Sequence, residues 1–382
     1  QALPAVLLRC NDWVAQVRQA ALESLKQLLD TADGEELAAA LPILEKLRRS
    51  RRCRMDHILP LFFRAFQRDP GLLRLGLESG DVRARRLCIS LLPALGEPNT
   101  AYLVERVKRE PDPFLRKLLY RTLLELGVEG MALSRRFLRD KYPPNRVLAL
   151  EYLAEHGAED LFGQAVSLLM DKSGRVREAA GEVAVQADKD FDLRQFYRER
   201  LSVRPAVAIL GLGETGNRAD CPAIAGFLSC PQSAVERAAM TALMGLDPER
   251  YSEAVTEKLA ADQPGVVKTA ALLLTKYRNF DPDRVFAILQ ASPAENTRLK
   301  CAALLFCAGK WDRLTYALTL LGSGYEKLDQ ACRRQLEDWS HTYNRSYAAL
   351  GEEQRRRILA LLEEKGAYLR PAMVKQLRFL SK

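Results

Sequence analysis

The side chains able to do chemistry are scattered along this 382-residue chain, not gathered into motifs. A metal centre needs Cys, His or carboxylate ligands at short, regular spacing. His57, His156 and His341 lie far apart, and Cys10, Cys53, Cys88, Cys221, Cys230, Cys301, Cys307 and Cys332 include no C-x-x-C pair. No metal and no cofactor is expected, and the thiols read as reduced, small apolar residues in a cytosolic setting. One stretch, Gly211 to Gly216 (GLGETG), has the glycine density of a phosphate loop. It has the G-x-G-x-x-G spacing but lacks a preceding strand and a G-K-[ST] ending, so its glycines are expected to allow close helix packing. Neither a nucleophile beside a base nor paired carboxylates can be read from the spacing. An enzyme is not expected, and no small-molecule substrate is indicated.

Charge is the chemistry that remains. The formal net charge is +9, and residues 1 to 150 hold 26 Lys and Arg against 18 Asp and Glu, whereas the remainder holds 32 against 31. A basic patch is expected in this half from Arg48, Arg49, Arg52, Arg54, Arg85, Arg86, Lys117, Arg121, Arg135 and Arg136. Such a patch attracts DNA, RNA, an acidic protein or an anionic membrane surface, each attraction weakening with salt. The same residues can equally form a solvated helix face with intrahelical pairs.

Helices must position these groups. Residues 168 to 185 (LLMDKSGRVREAAGEVAV) read as the end of one amphipathic helix, a polar turn opened by Asp171 and broken by Gly174, and a second helix from near Arg175. A short carboxylate at such a turn accepts from free backbone N–H groups, and Val-Arg-x-Ala-Ala turns small and apolar residues toward a neighbour. One such pair cannot bury its apolar face alone, so it must be stacked. The pattern recurs at Arg18, Arg51, Arg83, Arg116, Arg146, Arg177, Ala208, Glu236, Lys268 and Lys300, 28 to 33 residues apart. Four residues past each anchor come Leu22, Met55, Leu87, Tyr120, Leu150, Gly181, Leu212, Met240, Leu272 and Leu304, the expected buried stripe. Ala208 and Glu236 lack the base, and Ser50 and Asn145 stand where the preceding apolar residue belongs.

Residues 2 to 310 thereby resemble HEAT repeats, in particular the short bacterial PBS-lyase HEAT-like type. The turn acids Asp12, Asp81, Asp112, Asp171 and Asp262, with the Val-Arg or Leu-Lys pairs after them, carry the resemblance. It implies an all-α fold, a right-handed α-α superhelix of about ten helix pairs over residues 1–310. A non-consensus helical cap, residues 311–382, is expected to continue it. It also implies ladders of acid and base between neighbouring repeats, with Arg18, Arg83 and Arg177 structural. The family includes DNA glycosylases with a Trp and an Asp one helical turn later. Here Trp13 is followed four residues on by Val17, Trp311 by Thr315 and Trp339 by Tyr343, so that carboxylate is missing. Nothing independent supports tetrapyrrole lyase chemistry. The leading expectation is a non-enzymatic scaffold holding a protein partner on an extended concave face. A nucleic-acid or anionic-membrane binder using the basic half is the alternative.

Turns are expected at Asp69-Pro70-Gly71, Glu97-Pro98-Asn99, Asp112-Pro113 and Tyr142-Pro143-Pro144, with prolines at helix starts. Residues 188 to 200 read as the first helix of their pair. Trp13 is expected to cover the open end of the stack, and His156, before Gly157, to cap a helix C-terminus. Gly322-Ser323-Gly324 marks a break, and the last helices carry Ile358, Leu362, Val374, Leu377 and Leu380. Positions one and five past the anchor should face away from the stripe. They are polar early (Gln19, Glu23) and turn apolar late, giving a partner-binding strip of Ile209, Thr241, Thr269, Leu273 and Leu305. That strip is expected to be covered by a partner segment such as an amphipathic helix or by the chain's own tail. No apolar run approaches the roughly 20 residues that cross a bilayer. A cytoplasmic location is expected. The start at Gln1 reads as an excised piece, so a targeting or membrane segment could precede it in a longer chain.

Overall fold

The computed structural model describes residues 2–69, 71–96, 99–345 and 347–380, without the Leu380 side chain. The expected turn residues Pro70, Glu97 and Pro98 lie outside the described residues. The described residues form 24 α-helices and short 3-10 turns, with no strand, and they packed neighbour on neighbour as in an α-helical solenoid. They divide into two compact units, one running to Leu168 and including Glu178–Ala187, the other formed by Leu169–Arg177 and the residues from Asp188 on.

The first unit contains α1 (Ala2–Arg9), α2 (Ala15–Thr31), α3 (Gly34–Leu47), α4 (Met55–Arg68), α5 (Gly71–Glu78), α6 (Val82–Leu95), α7 (Thr100–Arg109), α8 (Pro113–Glu125), α9 (Gly130–Phe137), α10 (Pro143–Glu155), α11 (Leu161–Leu168) and most of α12 (Gly174–Ala187). Local chemistry sets the starts. Asp81 accepts from the Arg83 amide, Asn99 from Tyr102, and Asp112 from Phe114 and Leu115, which satisfies donors that no helical carbonyl can reach. Pro113 and Pro143 open α8 and α10 as expected, while Pro42, Pro60 and Pro93, for which the spacing sets no expectation, lie inside α3, α4 and α6. His156 caps α10, its ring Nδ1 2.9 Å from the Tyr152 carbonyl, ahead of Gly157 at φ 66°. The second pair is irregular. α3 packs chiefly on α1, α5 and α6, and Arg51, expected as an anchor inside a helix, lies exposed in the connection to α4.

The second unit adds α13 (Leu193–Glu199), α14 (Pro205–Thr215), α15 (Cys221–Ala225), α16 (Ser233–Leu246), α17 (Pro248–Glu257), α18 (Pro264–Tyr277), α19 (Pro282–Ala291), α20 (Glu295–Leu305), α21 (Lys310–Leu320), α22 (Glu326–Thr342), α23 (Glu352–Lys365) and α24 (Pro371–Leu380). The GLGETG glycines serve packing. A Cβ at Gly211 would overlap the Tyr197 ring of α13, and one at Gly213 would sit 2.6 Å from the Ala242 methyl of α16, so α14 needs Gly211 to approach α13 and Gly213 to approach α16. Among the described residues, the tail packs chiefly on α21, not on α14 to α20. Ile358, Leu362 and Leu377 are buried where α23 and α24 join α21 and α22, held by Trp311 Nε1 to the Ala348 carbonyl (2.8 Å) and Arg333 to the Tyr368 carbonyl (2.6 Å). Val374 is half-buried there.

The expected stripe is core at Leu87, Tyr120, Leu150, Leu212, Met240 and Leu304, all at most 1% exposed. Leu22 and Met55 are half-buried. Leu272 is 60% exposed, because α18 buries Val266, Val267, Ala270, Ala271 and Leu274 and so places Val267 in the anchor position.

A recurrent arginine ties the turns together. Arg18, Arg85, Arg116, Arg146, Arg177 and Arg298 each donate to the carbonyl of the residue six positions earlier: Asp12, Ser79, Glu110, Asp140, Asp171 and Ser292. Arg85 also reaches the later carboxylate of Glu110, Arg116 that of Asp140 and Arg177 that of Glu214. Glu110 and Asp140 thus take one arginine on the carboxylate and the next on the carbonyl, which makes a ladder. Asp81 and Asp112, expected as ladder acids, are helix caps, and Arg83 is exposed outside the ladder.

Candidate anion-binding groove

Several of the ten cations expected to share a patch are already engaged. Arg85 is buried, 5% exposed, with its guanidinium on Glu110 and the Ser79 and Gly80 carbonyls, so it contributes nothing to a surface. Arg48 pairs with Glu45, Arg54 with Asp56 and Arg121 with Glu125. Arg86 and Lys117 are half-buried on α6 and α8, and Arg49 is exposed. Arg52 lies 4.3 Å over the Trp13 ring, which is itself 77% exposed and therefore covers no open end.

Arg135 and Arg136 do meet further cations. On the last turn of α9 they line a groove of about 830 Å³ with Lys108 at the end of α7, the turn Arg139-Asp140-Lys141, Arg116 of α8, Asp160 just before α11, and Gln164 and Ser167 on it. Six cations face two carboxylates. Lys108 is paired with Glu105, Arg135 with Asp160 (3.4 Å), and Arg116 with Asp140 (2.8 Å). Burial alone would raise the Asp140 carboxyl, but Arg116 and the Tyr142 amide hold it below the usual range. Gln164, and then Arg135, lower Asp160 likewise. Arg136, Arg139 and Lys141 are exposed and have no ion pair among the described residues. They are the uncommitted charge of the groove.

The support beneath is apolar. Phe137 and Leu138 form part of the lining, and Phe137 stacks on Tyr120 at 4.1 Å, whose hydroxyl meets Ser134 at 2.7 Å. At the rim, Asp140 Oδ1 accepts from the Tyr142 amide at 2.7 Å, and the Tyr142 ring lies 5.4 Å from Phe114. Phe114, second residue of α8, is 64% exposed. The cap at Asp112 and the ring of Pro113 fix the helix start that turns Phe114 outward.

The apolar strip expected on the later helices is not a surface. Ile209 and Leu305 are fully buried and Leu273 is 8% exposed, so all three belong to the core. Thr241 is exposed and Thr269 half-buried. The reason is register. α14, α18 and α20 each turn two adjacent helical rows inward, which consumes the positions one and five past the assumed anchors.

The sequence spacing alone does not flag Lys108, Arg139, Lys141 or Phe114. Arg139-Asp140-Lys141 stands in the turn before Tyr142-Pro143, and an aromatic directly after Asp-Pro at a helix start is a pattern that could have flagged Phe114. Among the described residues, no three His, Cys, Asp or Glu side chains are placed to hold a metal ion, and no helix is long and apolar enough to cross a membrane. No protein-family model matches the chain, and no curated protein matches it.

Proposed function

We propose that this chain is a non-enzymatic binding scaffold of the HEAT-repeat type, a right-handed superhelix acting in the cytoplasm, that holds an anionic partner in the groove of α7, α9 and α11. The observation that carries the reading is the set Arg136, Arg139 and Lys141, three exposed cations in one groove whose other cations already have carboxylates. Lone cations on a helix face are usually matched by a nearby carboxylate, and a cluster left unmatched raises the local potential seen by an approaching anion. A protein partner remains within this reading as an acidic one, and its site moves from the buried Ile209, Leu273 and Leu305 to the groove.

The test is charge reversal. Arg136→Glu, Arg139→Glu and Lys141→Glu together should weaken binding of short nucleic acids and acidic polypeptides at low salt by about tenfold or more, with the thermal unfolding curve unchanged because all three side chains are exposed. Wild-type protein that binds no polyanion at low salt, or a triple variant that binds as tightly as wild type, overturns the reading.

A further inference from the structure

We propose that the groove's partner is a single-stranded nucleic acid, with its phosphates on Arg136, Arg139 and Lys141 and one base stacked on Phe114; this rests on the groove reading above. The cations alone select only for negative charge. What narrows the class is the aromatic pair bonded to the same wall: Asp140 receives the Tyr142 amide, and Tyr142 braces Phe114 at an interplanar angle of 59°. The tilt supports Phe114 by an edge and leaves most of its ring, 64% exposed, to solvent. Phe114 lies outside the groove lining and reaches it through Tyr142, next to Lys141 in the chain; an exposed phenyl so placed, with these cations, suits a single strand, since every base has a face to stack and every nucleotide a phosphate to place. A duplex keeps its bases stacked on one another and has no face to offer. An acidic peptide satisfies the cations but has no systematic use for Phe114. Trp13 is a weaker platform, since the Arg52 guanidinium already lies 4.3 Å over its ring.

The full chain would be titrated, by fluorescence anisotropy, into a labelled homopyrimidine single strand of about 10 nucleotides, within the span such sites cover. A duplex of the same length, polyglutamate and vesicles of anionic phospholipid complete the set. The single strand should bind tighter than the other three. Phe114→Ala should weaken the single strand by about tenfold, the loss of one stacked base, and leave the duplex unchanged. Phe114→Trp should restore binding and Phe114→Leu should not, which separates stacking from apolar contact. Phe114 is exposed, so the fold should survive each change, as circular dichroism would check. Equal single-strand affinity of Phe114→Ala and wild type overturns the inference, as does tighter binding of polyglutamate or vesicles. If charge reversal abolishes binding while Phe114→Ala changes nothing, the groove stands and the stacked base falls. If charge reversal changes nothing, the groove itself falls.

Discussion

Asp140 links stability to the candidate groove through one carboxylate. Its oxygens accept from Arg116 Nε and the Tyr142 amide, and its carbonyl accepts from Arg146, so three segments meet on one residue. Both partners of the pair are mostly buried, 13% and 12% exposed, so removing one leaves a guanidinium poorly compensated. Asp140→Asn should cost about 2–3 kcal/mol at neutral pH. The sign with pH follows from the lowered carboxyl. A group depressed in the folded state stabilises above its unfolded value, about 3.9, and that stabilisation is lost as pH falls through the folded value. Urea melts of wild type and Asp140→Asn should therefore differ by a constant amount from pH 7 to pH 5 and converge below about pH 4. A gap that stays constant to the lowest pH would mean that the charge of Asp140 contributes nothing.

At the scale of the helix, the core rows and the turns behave differently as sequence. Leu87, Tyr120 and Leu150 are spaced so that only one face can bury them, and Asp112-Pro113 and Asp171 fix where helices begin, so these elements can be read without coordinates. Other positions cannot be. Pro264-Gly265-Val266-Val267-Lys268 offers two apolar residues before the base, and both are buried, which displaced the register and sent Leu272 outward. Val82-Arg83-Ala84-Arg85-Arg86 offers three arginines, and only Arg85 stands six residues past the carbonyl it must reach. Asn145 shows the same limit. It is fully buried in the slot expected to be apolar, beside Asp140 but without a hydrogen bond of good geometry on either amide atom. The groove is half visible for a related reason: Arg135, Arg136, Arg139 and Lys141 follow one another within seven residues, but Lys108 joins them only through tertiary packing, and Phe114 reaches the neighbouring turn only through the Tyr142 ring. Leu150, fully buried in α10, tests the stacked-pair arrangement. Leu150→Ala should cost about 2–5 kcal/mol, with amide exchange rising in α8, α9 and α10 and far less in α19 to α22, because each pair touches only its neighbours. An even rise through every helix would instead indicate one cooperative globular core.

Over the whole molecule, charge is distributed in a way that local pairing alone does not explain. Residues 1 to 150 hold 26 Lys and Arg against 18 Asp and Glu, and the rest of the chain is nearly balanced at 32 against 31. Such an excess can act in two ways: as a diffuse field that draws any polyanion, or through a few cations at one site. Salt separates them, since each phosphate neutralised on a single strand contributes about 0.7 to the slope of log affinity against log salt. If Arg136, Arg139 and Lys141 carry the contacts, the slope should be about −2. If the whole basic half takes part, it should approach −5 or steeper, on the order of one contact per excess charge. Lys141→Ala should then reduce the slope by about 0.7 in the localised case, and change it little in the diffuse one, where many cations substitute for the one removed. Oligonucleotide titrations at about 50, 100 and 200 mM salt cover the range over which such slopes are steep enough to measure. A slope near −2 that Lys141→Ala flattens would place the contacts in the groove. A steep slope indifferent to Lys141 would make the excess a general attraction, and the groove only one part of it.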